Sequence, residues 1–285
     1  MTEEEKVRLV NSLIQKPVSK DISNIYPSKI YKFISFGTDH ELNRKKINCL
    51  KSNQICLSSP LNFNDPYDCQ LSIDIMSNTG DILKLGLNRE ERRLAKKHKK
   101  KFQAELKTDF QNLQTDLVKE WNDFRRNMMV CCFTEAWDSF LMWAHYANSY
   151  QGICIEYNTI DMVRNKLFLL PVLYTEELLQ AIQYLRKEDI QKDDPELFYR
   201  AGIYAVLSKH TSWKYEREWR LVEVNNSTTQ SCQLRTTPTP SAIYIGPRIS
   251  KDLKNEIIEI SKELKIPTYD VVISDTEYNL SNQES

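Results

Sequence analysis

The residues of this chain best suited to chemistry are Glu216, Glu218 and Arg220, set two apart in the run Glu-Arg-Glu-Trp-Arg. The seven residues from Glu216 to Val222 alternate with the period of a strand. Glu216, Glu218, Arg220 and Val222 fall on one face, and Arg217, Trp219 and Leu221 on the other. Residues i and i+2 of a strand share a face at about 7 Å spacing, so the pattern predicts two carboxylates and a guanidinium in line. Trp213, Tyr215 and Trp219 crowd the same segment. Charges beside desolvating aromatic walls are where pKa values shift and proton transfer becomes feasible. The same pattern suits a solvated strand face with cross-strand ion pairs, and both readings stay open.

Two further constellations stand out. Asn64-Asp65-Pro66-Tyr67-Asp68 is a compact polar knot. It reads as a turn, since proline extends the residue before it and Asn and Asp cap local amides, or as a holder of metal or ribose through Asn64, Asp65 and Asp68. Trp143-Ala144-His145-Tyr146 reads as a short helix with Trp143 and Tyr146 on one face. Lys32, Lys209 and Trp213 complete the candidate binding residues, next to Glu218, Glu216 and Arg220 as candidate catalytic ones. No zinc set is expected, because no Cys-x-x-Cys occurs and the four histidines are scattered.

Composition narrows the class. Thirty-nine basic residues balance thirty-nine acidic ones, so overall charge points to no polyanionic partner. Six glycines, with neither a G-x-x-x-x-G-K nor a G-x-G-x-x-G run, disfavour glycine-rich phosphate loops. The seven cysteines sit mostly in apolar runs and read as reduced, buried thiols rather than a disulfide framework. The start of the sequence has no basic-then-apolar leader pattern, and no run of eighteen apolar residues occurs. These features predict a soluble cytoplasmic protein without membrane contact.

The elements that must position these residues follow from periodicity. Helices are predicted over 2–15, 39–51, 141–147, most of 176–209 and from Ser250 through Leu264. Strands are predicted over 30–35, 54–58, 127–134, 152–157, 172–174, 216–222, 242–245 and 268–273. The apolar positions Leu94, His98, Phe102, Leu106, Phe110, Leu113, Leu117, Trp121 and Phe124 recur at steps of four or three, predicting a long helix or hairpin over 88–127. Its basic start, 89–101, reads as a solvated face or as a contact for nucleic-acid phosphates. The whole predicts a single α+β domain, a mixed central sheet flanked by helices. A long helical insertion at about 80–127 interrupts it, and a C-terminal β-α-β unit closes it with a parallel pair. The last residues, Ser281 to Ser285, read as frayed.

Taken in order, NDPYD after a strand, CCFT followed by SFLMWAHYANSYQGICIEY, then WKYEREWR and IYIG resemble the bacterial family known as domain of unknown function 2971, over about Tyr31 to Ile245. The layout of a first strand Ile-Tyr-Lys-Phe, a helix, a strand ending in serines and a late Glu-x-Glu strand is similar to that of ADP-ribosyltransferases. That resemblance implies NAD as substrate, Glu218 at the ribose, Glu216 activating the acceptor, and Lys32 where the class has His or Arg at the nucleotide. Such an enzyme would act on a protein or nucleic-acid target, as a toxin or phage-defence effector. A second reading gathers Asp65, Asp68, Glu216 and Glu218 around Mg²⁺ as a nuclease or phosphoesterase, with Lys209 or Arg220 against the phosphate. A third is a non-catalytic ligand-binding module.

Overall fold

The two apolar runs MMVCCFT and GICIEY become strands at the middle of one mixed sheet, because each is long enough and β-branched or sulfur-rich enough to be buried on both faces. The computed structural model describes residues 1–15, 26–74, 77, 99–180, 196–224 and 232–285. They divide into two compact units: 1–58, 129–172 and 212–285 form the first, and 59–128 with 173–211 the second.

In the first unit, β1 (Lys29–Ile34), β2 (Gln54–Ser58), β4 (Met128–Thr134), β5 (Ile153–Asn158), β6 (Leu169–Pro171) and β10 (Glu218–Val224) join β11 (Cys232–Thr236), β12 (Ala242–Ile245), β13 (Thr268–Ile273) and β14 (Leu280–Glu284). The main path runs β11-β2-β4-β1-β5-β12-β13-β14, and β10 branches off it to pair with β4 and β6. β12 and β13 are parallel, while β5 is antiparallel to both β1 and β12. The β12–β13 crossover is α7 (Lys251–Leu264), capped by Ser250, whose hydroxyl accepts the Leu253 amide at 3.4 Å. A mixed sheet flanked by α1 (Glu3–Gln15), α2 (His40–Lys51), α4 (Phe140–Tyr146), α5 (Thr159–Arg164) and α7 is the expected α+β class.

Alternation along the strands sorts two clusters. Ile30, Met129, Cys131, Phe133, Ile155, Trp219 and Leu221 enter the main core with Ile257 and Ile260 of α7. Tyr31, Trp143, Cys154, Ala242, Tyr244 and Val271 form a second one. Burying one such aliphatic side chain contributes about 1.5–3 kcal/mol, so these clusters dominate over any surface pair.

The second unit holds α3 (Lys99–Asn127), α6 (Glu196–Leu207), and two short parallel pairs, β3 (Leu71–Ser72) with β8 (Leu179–Gln180) and β7 (Leu173–Thr175) with β9 (Ser208–His210). Gly202 lets α6 meet the Phe124 ring of α3, where a Cβ would collide.

Several local expectations change. Glu216 ends a 3-10 turn, Thr211–Glu216, and the strand begins at Glu218, because Arg217 takes a left-handed φ of 44° that no strand accommodates. Leu179 starts a strand rather than a helix, since β3 offers it a backbone partner. Residues 281–284, polar enough to read as frayed, are held by backbone pairing to β13, which needs no apolar side chain. Cys56 and Cys232 form a disulfide; β11 registers on β2 across 176 residues of sequence, a proximity that no local spacing reveals. The long helix is present from Lys99, whereas 88–98, including Leu94, His98 and most of the basic stretch 89–101, lie outside the described residues.

Candidate active site

The site is built on β10. From Glu218 the predicted alternation holds: Trp219 and Leu221 enter the core, and Glu218 and Arg220 share the other face. Arg220 Nε donates to Glu218 Oε1 at 2.7 Å and Nη2 to Oε2 at 3.0 Å, with both side chains buried. A two-pronged pair of this kind fixes both planes as well as the charge. β6 anchors the strand, with Arg220 opposite Leu170. Trp219 donates its indole N–H to Glu135 Oε1 at 2.8 Å and packs against Tyr26.

Glu216, also buried, has a different environment. The Tyr146 hydroxyl donates to its Oε1 at 2.5 Å, and its backbone carbonyl accepts Thr134 Oγ1 at 2.6 Å. Tyr146 comes from α4, whose start is fixed by Ser139 accepting the Met142 amide. His145 is exposed on that helix and neighbours both Tyr146 and Tyr215, and Tyr215 in turn neighbours Trp213. A row of neighbouring rings, Tyr146, His145, Tyr215 and Trp213, thus leads away from the hydroxyl that holds the Glu216 carboxylate.

Other candidates fall elsewhere. Trp143 is fully enclosed in the second cluster, donates to Trp137 O at 2.6 Å and meets Phe33 edge-on, so it packs rather than lines a surface. Lys32, half-buried on β1, lies over the Phe133 ring and reaches Cys132 O at 3.5 Å. Burial works against its charge; Cys131, Cys132 and Glu218 outweigh it, and the pKa ends above the usual lysine value. Burial also pushes the Cys131 thiol up.

Asn64, Asp65, Asp68 and Lys209 belong to the second unit. Asp65 Oδ1 accepts the Tyr67 amide at 2.8 Å and Asp65 O accepts the Asp68 amide, so the knot is a turn; Asn64 is exposed on it. Asp68 Oδ2 pairs with Lys209 Nζ at 3.4 Å. The Mg²⁺ reading drew carboxylates from both units, and among the described residues no three of His, Cys, Asp and Glu gather as metal ligands.

Two features escaped the sequence reading. Thr134 holds the Glu216 backbone across 82 residues. Glu156, buried within GICIEY, accepts the Tyr244 hydroxyl at 2.9 Å and pairs with Lys29 at 2.9 Å. A lone carboxylate in an apolar strand was the available signal. Burial, helped by that carboxylate, raises Tyr31 and Tyr244 far above the ordinary phenol value.

Residues 142–221 match the family described as Protein of unknown function (DUF2971). The matched segment carries Trp143, His145, Tyr146, Trp213, Glu216, Glu218 and Arg220, so it takes in WAHY and WKYEREWR but not NDPYD, CCFT or IYIG. Lys32 and the NDPYD turn precede it. No curated protein and no solved structure matches the chain. Among the described residues, no helix is long and apolar enough to cross a membrane.

Proposed function

We propose that the first unit breaks the nicotinamide–ribose bond of NAD, in the manner of ADP-ribosyltransferases. The observation that carries this reading is the pair Glu216 and Glu218, two buried carboxylates on either side of one left-handed residue, with different partners. Carboxylates placed in unlike environments divide labour between charge stabilisation and proton transfer. Glu218, oriented by Arg220, faces the positive charge that develops on the ribose as the C1′–N bond breaks and its electron pair leaves with nicotinamide. Glu216, steadied by Tyr146, accepts the proton of the attacking hydroxyl as that oxygen bonds C1′. The His145–Tyr215–Trp213 row offers a stacking surface for a planar ring. A toxin or phage-defence role follows only by analogy with such enzymes.

One observation favours a second reading, a non-catalytic ligand-binding module: both oxygens of Glu218 are taken by Arg220. NAD consumption by the intact chain and by Glu218→Gln, with and without Mg²⁺ and nucleic acid, separates the two. Loss of NAD that needs Glu218 supports the transferase reading. Unchanged NAD with both proteins, or equal loss with both, overturns it, and calorimetric binding of NAD without turnover would then favour the module.

A further inference from the structure

In the second unit the guanidinium of Arg125 buries one of its nitrogens, Nε, without a hydrogen-bond acceptor among the described residues. Arg125 lies in the last turn of α3 and retains 6% exposure. Ser59 Oγ donates to the Arg125 backbone carbonyl at 3.1 Å, which fixes the chain and leaves Nε unmatched. The carboxylate that acts on it electrostatically, Asp68, is engaged elsewhere. Its Oδ2 takes Lys209 Nζ at 3.4 Å and its Oδ1 faces Cys69 Sγ at 3.3 Å. Burial accordingly pulls the Arg125 pKa down, against the opposing influence of Cys69 and Asp68.

A buried guanidinium nitrogen with no acceptor costs free energy, and such groups persist where something else answers them. A water molecule would accept one hydrogen bond and leave the charge. The planar fork of a guanidinium matches two oxygens of a carboxylate or phosphoryl group. Lys209, itself buried and joined to Asp68, supplies a second cation to the same cluster. The NDPYD turn holds it in place, since Asp68 and Cys69 end that turn and Cys69 takes a left-handed φ of 54°.

We infer that Arg125, beside the Asp68–Lys209 pair, forms an oxyanion site in the second unit, its guanidinium taking a phosphoryl or carboxylate group of a small ligand. The inference does not depend on the NAD reading of the first unit.

The test uses the full chain and two probes, inorganic phosphate and acetate, against chloride at matched ionic strength. Phosphate well above its dissociation constant is expected to raise Tm by about 2–4 °C. The Arg125→Met variant should lose that shift while melting no lower than the parent without ligand, because Met fills the space and removes the unmatched nitrogen. A response to acetate alone would assign the site to carboxylates. Excluded salts also raise Tm through the whole surface, so an equal phosphate shift in parent and variant overturns the site, as does no shift with either probe. Should Arg125→Met fail to fold, phosphorus NMR line-broadening with the parent and Arg125→Lys decides. Broadening by the parent that is reduced in Arg125→Lys supports the site, and no broadening by the parent overturns it.

Discussion

Arg220 grips Glu218 through two nitrogens on the same strand face, two residues apart, with neither side chain open to solvent. A buried pair is costly to break from one side and cheap to replace as a whole. Arg220→Met alone should therefore destabilise the chain by about 3–5 kcal/mol, and the double variant Arg220→Met, Glu218→Leu by clearly less. Urea unfolding of the two singles and the double checks this. Strictly additive losses would mean that the two side chains act independently.

Tyr146→Phe removes the hydroxyl that bonds Glu216. Leaving that buried carboxylate oxygen without its donor should cost about 1–3 kcal/mol. Under the NAD reading, kcat should fall more than KM rises, because Glu216 acts on the acceptor proton and not on nucleotide binding. Steady-state NAD kinetics with the folded variant measure the split.

Alkaline pH should unfold the first unit early. Burial raises Tyr26 from 10.0 to about 12, and Tyr31, Tyr157 and Tyr244 are raised as well. Each folded phenol holds its proton more firmly than an unfolded one, so the stabilisation is complete below pH 10 and is lost as pH climbs through the raised values. Tyr26 also buries a hydroxyl that has no partner among the described residues. Tyr26→Phe should gain about 1 kcal/mol at neutral pH and flatten the fall between pH 10 and about 12, as followed by circular dichroism melts.

Gly152 stands at the head of β5, where a Cβ would strike the backbone oxygen of Ile34 and press on Ala147. Backbone cannot swing aside as a long side chain does, so Gly152→Ala should cost about 1–3 kcal/mol or more. Thermal melts would show it. An unchanged Tm would mean that β1 and α4 yield at little cost.

The sheet was legible in the sequence wherever an apolar run or alternation was uninterrupted, as with the run in β4 and β12 and the alternation in β2. Capping chemistry marked Ser250, whose side chain accepts the Leu253 amide, while Asp39, read as the first helical residue, is the cap that accepts the Leu42 amide. Glu218 and Arg220 were legible too, since two-residue spacing on a strand leaves little freedom. Glu216 was misplaced because a period-two pattern cannot register one residue with positive φ. Trp143 carried the ambiguity of every aromatic on a short helix, and three-dimensional neighbours alone decided for packing. Thr134 and Glu156 were hidden because their partners are 82 and 88 residues away.

The left-handed Arg217 makes the distance between the two glutamates a property of a hinge point and not of a pleat. Glu218 and Arg220 are indexed to β6, whereas Glu216 is indexed to Thr134 and Tyr146. A one-residue insertion at 217 would thus shift one carboxylate relative to the other without slipping the strand. Among related chains, Glu-x-Glu should be aligned as two separate words whose gap can drift, the second tied to the tryptophan and arginine that follow it.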